Sequence, residues 1–200
     1  AIGFVESLDN GKTFNRIGPG PILASSKNEA CLVGDGFVKY FNDKFHMWYI
    51  FGSEWRKFDE KSPPDRIYKI AHASSTDGLN WSKDDGIQII QDRLGPDECQ
   101  ALPSVIESEG IFHMFFCYRH AYDFRSSIGR GYRIGYAKSH DLVSWTRDDN
   151  NLDFMGGTKG EWDEEMQCYP HIFECDSKIY LLYNGNQFGR FGFGLAEIIF

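Results

Sequence analysis

An internal repeat constrains this chain more than any other feature. Val38, Val105 and Ile172 stand 67 residues apart, and so do Tyr49, Phe116 and Tyr183. Each pair brackets an apolar run, a polar turn and a second apolar run: Phe37–Tyr49, Ser104–Phe116 and His171–Tyr183. Each reads as a β-hairpin. A second pattern lies between the hairpins: an apolar strand, an acidic turn and an aromatic residue. It spans Ile70–Trp81 and Ile134–Trp145, with an opening copy at Ile2–Phe14 and a truncated closing copy at Gly192–Glu197. In Ser75-Thr76-Asp77-Gly78 the Asp side chain can accept from the backbone and the Gly tolerates positive φ. That is tight-turn chemistry.

One unit therefore holds four strands, lettered A and B for the hairpin and C and D for the second pattern. A four-stranded unit at this period is the signature of a β-propeller blade. The expected fold is all-β, a β-propeller of four-stranded antiparallel blades with about three blades present. The strands read C-D, A-B-C-D, A-B-C-D, A-B-C within one domain. Unit boundaries are expected near 1–27, 28–94, 95–161 and 162–200. Gly52–Pro64 ends in Ser62-Pro63-Pro64 and is expected as a loop. The 17 Phe, 10 Tyr, 5 Trp and 21 Gly suit strands joined by tight turns.

The net charge of −8 repels phosphate, which argues against nucleic acid and anionic membrane as partners. No apolar run approaches the roughly 20 residues of a membrane span. Cys31, Cys99, Cys117, Cys168 and Cys175 are odd in number and scattered. They read as small buried hydrophobes rather than a disulfide framework or a zinc set. No cofactor and no metal are expected. The opening Ala1–Val5 has no basic stretch and no long apolar run, so it does not read as a signal peptide. With the cysteine count, that favours a cytoplasmic setting. Because the strand pattern opens and closes mid-unit, open blade edges are expected to promote self-association.

In an antiparallel blade the D-to-A and B-to-C connections share one face, and the A-to-B and C-to-D connections share the other. Short turns such as Asn42-Asp43-Lys44, Ser108-Glu109-Gly110 and Asp77-Gly78-Leu79 belong to the second face. The first face, the mouth, is where the repeats diverge and lengthen, and loops of that kind carry function. Its D-to-A side offers Asp35, Glu98, Trp162 and Glu165, and its B-to-C side Trp55, Arg119, His120, Asn184, Asn186 and Arg190. Flat aromatics against sugar rings and planar polar groups for hydroxyls suit a carbohydrate. A glycosidase also needs two carboxylates flanking the scissile bond. His46 and His113 share one repeat position inside strand B and read as structural. Trp48, Trp81 and Trp145 read as core, with Trp55 and Trp162 as candidate sugar platforms.

The repeated acidic turns leading to Trp, with Pro-x-Val/Ile strands and aromatic hairpins, resemble the five-bladed β-propeller glycosidase superfamily. That group includes glycoside hydrolase families 43 and 32 and the family 130 phosphorylases. The matching pieces are Pro103-Ser104-Val105, Pro170-His171-Ile172, Asp77-Gly78-Leu79-Asn80-Trp81 and Trp162-Asp163. A five-bladed ring at this period would need roughly 335 residues, so the resemblance implies part of a longer propeller. In family 43 a catalytic Asp directly precedes the Pro that opens strand A. Pro103 and Pro170 align with Gly36, which puts Asp35 in that column and Leu102 and Tyr169 in the other two blades. The family's Glu-Gly-Pro acid is absent as a motif. Glu98 and Glu165 stand nearest, each five residues before its Pro. The resemblance implies Asp35 as base or electrostatic partner and Glu98 or Glu165 as acid, acting on a glycan. Trp55, Arg119, His120, Trp162, Asn184, Asn186 and Arg190 would contact it. Two alternatives stay open. One is a non-catalytic propeller that binds a glycan or a protein. The other is a glycoside phosphorylase whose Arg119, His120 and Arg190 hold phosphate.

Overall fold

The computed structural model describes residues 1–152 and 157–200. Strands β1 (Val5–Glu6) and β2 (Asn15–Arg16) form a short antiparallel pair. A four-stranded sheet follows from β3 (Val33–Phe41), β4 (Lys44–Arg56), β5 (Asp65–Ser75) and β6 (Ser82–Lys83), paired in sequence order. A second is built from β7 (Glu98–Ser108), β8 (Ile111–His120), β9 (Arg133–Ser139) and β10 (Thr146–Arg147). Three more strands, β11 (Cys168–Cys175), β12 (Lys178–Asn184) and β13 (Phe193–Ile198), form the last sheet. All of these neighbours pair antiparallel. The sheets are β-propeller blades, and strand A of each is β3, β7 and β11.

One expectation needs correction. Strand β4 runs on to Arg56, into the stretch read as a loop from its missing pattern. The ladder continues there as Trp55 with Arg66 and Arg56 with Asp65, after a bulge between Gly52 and Glu54. Gly52 is required at that point, since a Cβ would lie 2.5 Å from the Cβ of Cys31.

The C-to-D turns are built alike three times. The hydroxyls of Ser7, Ser75 and Ser139 accept from the backbone N–H of Gly11, Gly78 and Leu142 at 2.8–2.9 Å. Asp9, Asp77 and Asp141 each accept two further backbone N–H groups at 2.7–3.0 Å. In the two complete blades the following indole N–H, on Trp81 or Trp145, donates to a turn carbonyl at 2.9 or 3.0 Å.

Each blade is also locked by an aromatic on strand B facing a small residue on strand C. The pairs are Tyr49 with Ala71, Phe116 with Gly135, and Tyr183 with Gly194. A Cβ at Gly135 or Gly194 would come within 2.5 Å of the facing ring. The largest core cluster joins the two four-stranded sheets through Trp48, Ile70, Met114 and Phe116 and reaches Cys168 of the third. Burying each such side chain contributes about 1.5–3 kcal/mol. The result is a rigid base under the mouth loops.

Candidate functional site

Strand A breaks register once in every blade, at the same place. The irregularities fall between Gly34 and Phe37, Ala101 and Ser104, and Cys168 and His171. At each bulge one non-glycine residue adopts positive φ: Asp35 at 50°, Leu102 at 49° and Tyr169 at 61°. Such strain costs about 1–3 kcal/mol per residue and clusters at functional sites. A bulge also re-aims the side chain it carries. The repeat thus supplies one backbone device and fills it with three chemistries: a carboxylate, an aliphatic and a phenol.

Asp35 is solvent-accessible, yet desolvation by the surrounding protein pushes its carboxyl above the ordinary value. Its charge reaches Tyr169 and Cys117, where burial is the first cause of a raised pKa and Asp35 adds to it. Tyr169 in turn belongs to an aromatic wall. Its ring lies 6.0 Å from Tyr132 and 6.1 Å from Phe188, and Phe124 lies 6.0 Å from Tyr132.

Glu98 sits differently. Its side chain is fully buried and pairs with Arg147 at 2.6 Å. It also accepts from the backbone N–H of Arg93 and Leu94 at 2.7 and 2.8 Å, and from Gln100 at 2.9 Å. The preceding blade does the same with Glu29, which pairs with Lys83 and accepts from Tyr49 at 2.7 Å. In the last blade Asp163 accepts from Tyr183 at 2.9 Å. Glu98 is thus one of a series of buried carboxylates that fasten the head of strand A to its own blade.

Glu165 is exposed, and its loop is clasped from two sides. Asn186 Oδ1 accepts from the backbone N–H of Glu165 and Met166 at 2.9 and 3.0 Å. Arg133 donates to the carbonyls of Glu165 and Glu164 at 2.5 and 3.2 Å. Asn186 therefore holds the loop that presents Glu165. Trp162 packs on Tyr183 with ring centroids 5.5 Å apart, over a glycine at 185 that has no room for a Cβ. Asn184 lies in the ladder opposite Phe193. Arg190 is exposed and donates to Gln187 at 3.1 Å. Trp55 is 57% exposed, with Arg66 over its ring at 5.6 Å. Burial lowers the His120 imidazole pKa, and His120 faces Glu98 in the ladder. His46 and His113 are buried; His46 Nδ1 is bonded to His72 at 2.9 Å, and His113 Nδ1 to Tyr136 at 2.6 Å.

Arg119 is buried beneath the mouth. It donates to Tyr68 Oη at 2.7 Å and to the carbonyls of His120 and Ala121 at 2.7 and 3.0 Å. Tyr68 and Tyr132 share a hydroxyl contact of 2.7 Å. Between the B-to-C connections of the last two sheets lies a cavity of about 310 Å³, lined by Phe124, Arg125, Glu165, Met166, Gln187 and Phe188 among others. Gln187 and Phe188 are both held at positive φ, 53° and 60°. Of these lining residues the sequence places Glu165 by its register with Pro170, and Arg125 and Gln187 in the B-to-C connections of the mouth; those long connections carry no period that would bring them together. Among the described residues no cluster of three or more His, Cys, Asp or Glu side chains could hold a metal.

No family model matches the chain. It is 30% identical over 191 residues to two curated proteins of Mycobacterium tuberculosis, "Uncharacterized protein MT1551" of strain CDC 1551 / Oshkosh and "Uncharacterized protein Rv1502" of strain ATCC 25618 / H37Rv. That match covers 94% of this chain, which spans 58% of the length of each relative. The fold is similar to solved glycoside hydrolases. The family 117 glycoside hydrolase Zg3597 of Zobellia galactanivorans matches at TM-score 0.65 and 18% identity, over 86% of this chain and 54% of its own. Sucrose-6-phosphate hydrolase from Lactobacillus gasseri matches at TM-score 0.60 and 17% identity, over 85% of this chain and 31% of its own. The protein BT0996, solved as an RGII complex, matches at TM-score 0.65 and 19% identity, over 92% of this chain and 51% of its own.

Proposed function

We propose that this is a carbohydrate-active protein of the glycoside hydrolase type that takes a glycan at the propeller mouth. The observation that carries this reading is Asp35: a strained, bulged carboxylate, accessible yet partly desolvated, beside an aromatic wall. In hydrolysis Asp35 would activate water or stabilise the oxocarbenium-like transition state, and Glu165 would protonate the leaving oxygen. Glu98 would serve as a strut that holds strand A, because its carboxylate is enclosed and ion-paired. Asn186 and Arg133 would act as positioning residues through the Glu165 loop.

The test is glycosidase assay on a broad glycan panel with wild type, Asp35→Asn, Glu165→Gln and Glu98→Gln. Asp35→Asn and Glu165→Gln are expected to lose hydrolysis with the fold intact, and Glu98→Gln to lose stability first. Unchanged rates in Asp35→Asn and Glu165→Gln would overturn the assignment. A second reading, glycan binding without catalysis, is favoured by the enclosure of Glu98, which leaves fewer carboxylates free at the mouth. It predicts measurable glycan affinity with no turnover by the wild type.

A further inference from the structure

In a chain of net charge −8, Lys69, Lys83 and Arg147 meet carboxylates. Lys69 lies 2.6 Å from Asp92, Lys83 pairs with Glu29, and Arg147 lies 2.6 Å from Glu98 and 2.8 Å from Asp149. Arg119, which is buried, and Arg125, which is exposed at the cavity, do not share that pattern. Among the described residues neither is ion-paired to a carboxylate, although Arg119 is only 5% exposed. Both lie against one ring. The guanidinium carbon of Arg119 is 3.6 Å from the centroid of Phe124, and that of Arg125 is 4.4 Å from it. Arg125 also lies over Phe188 at 5.4 Å. The hydrogen-bond partners of Arg119 are neutral, and its Nε is buried with none.

Cation–π contact offsets part of the cost of burying Arg119, but among the described residues no carboxylate pairs with it. Two guanidinium groups about one ring, with Arg125 lining a 310 Å³ cavity, make a positive corner in an acidic protein.

We propose that this cavity is a subsite for a carboxylate-bearing sugar, a uronic acid residue, with Arg125 as its specificity-determining residue. The inference rests on the carbohydrate reading above and deepens it. Three observations choose the ligand class. The guanidinium fork matches a planar carboxylate through two parallel N–H bonds. Phe124 and Phe188 offer apolar surface to a sugar ring, and Gln187 offers an amide to its hydroxyls. Arg125 is the one cation among the described residues that line the cavity, and a single guanidinium balances a singly charged carboxylate better than a doubly charged phosphate. Arg119 adds a second positive charge behind Phe124 without touching the ligand.

Calorimetric titration of the full chain tests this with three probes: galacturonate- and glucuronate-terminated disaccharides, their neutral methyl esters, and inorganic phosphate. Wild type, Arg125→Gln and Arg125→Lys are compared, each checked for folding by near-UV circular dichroism. The acids are expected to bind at least about tenfold tighter than the esters, with a preference that weakens in salt. Arg125→Gln is expected to erase the preference, and Arg125→Lys to keep part of it. Equal affinity for acid and ester, or a preference intact in Arg125→Gln, would overturn the subsite and leave the carbohydrate reading standing. Phosphate binding as tightly as the acids, and displaced by them, would overturn the carboxylate assignment. Binding of neither sugar class would overturn the carbohydrate reading itself.

Discussion

The C-to-D turns and the strand-A bulges both recur at the blade period, but they recur differently. In the turns, backbone and side chains repeat together: a Ser hydroxyl and an Asp carboxylate cap the same amides in each copy. In the bulges only the backbone repeats, with φ of 50°, 49° and 61° carried by Asp, Leu and Tyr. A turn needs its side chains for its own hydrogen bonds, so its chemistry is tied to its shape. A bulge is held by the strands on either side, so its side chain is free to serve the mouth. The two faces of the propeller therefore divide scaffold from proposed site.

Substitutions on the two faces test that contrast. The largest effect is expected at the buried struts. Glu98→Ala takes from Arg147 one of its two carboxylates and removes the acceptor of the Arg93 and Leu94 N–H groups, and should cost about 2–4 kcal/mol in urea unfolding. Glu29→Ala should behave alike through Lys83, since both pairs hold strand A to strand D of one blade. If Glu98→Ala kept full stability while abolishing hydrolysis, Glu98 would belong to the site and not to the scaffold.

Asp35→Asn should show the opposite split. Asn tolerates positive φ, so stability should stay within about 1 kcal/mol, while kcat falls by about 10²–10⁴. The raised carboxyl also sets a pH dependence. Activity that needs ionised Asp35 falls as pH drops through that raised value, so the acid limb should lie above the ordinary 3.8. An acid limb unchanged in Asp35→Asn would break the link.

Gly135→Ala tests the blade lock and should cost about 1–3 kcal/mol, because the added methyl overlaps the Phe116 ring. The smallest effect is expected in the turns. Asp141→Ala removes hydrogen bonds at an exposed site and should cost at most about 1 kcal/mol. Backbone N–H donors from Ser144 and Val143 hold the Asp141 carboxyl at about 2, against an ordinary 3.8. Its folded value lies below its unfolded one, so its contribution is full above about pH 5 and is lost as pH falls towards 2. Acid unfolding that is identical in wild type and Asp141→Ala would remove this role.

Much of the scaffold was legible because repetition is written in spacing. The 67-residue offset located the hairpins and the order of their strands, and it brought Asp35 into register with Leu102 and Tyr169. The role of Glu98 was hidden because its partner Arg147 lies 49 residues on, on another strand. A signal did exist: Lys83 and Arg147 each follow the turn tryptophan by two residues, as Glu29 and Glu98 each stand near the start of strand A. The strand extension to Arg56 carried no alternating pattern, since its residues project beyond the core, where Arg56 pairs with Glu54 and Asp97 and Trp55 meets Arg66. Arg125 could be placed at the mouth, but its neighbours Phe124 and Phe188 were illegible for the same reason that they are specific to the mouth. Connections that differ between blades offer no second copy to align.

The most direct test is hydrolysis of a glycan panel by wild type and Asp35→Asn, with Leu102→Met as the equivalent bulge in the neighbouring blade. Wild type and Leu102→Met should both turn over substrate, and Asp35→Asn should be at least about 100-fold slower at unchanged melting temperature. Asp35→Asn activity within about twofold of wild type would contradict a catalytic role for the bulged carboxylate.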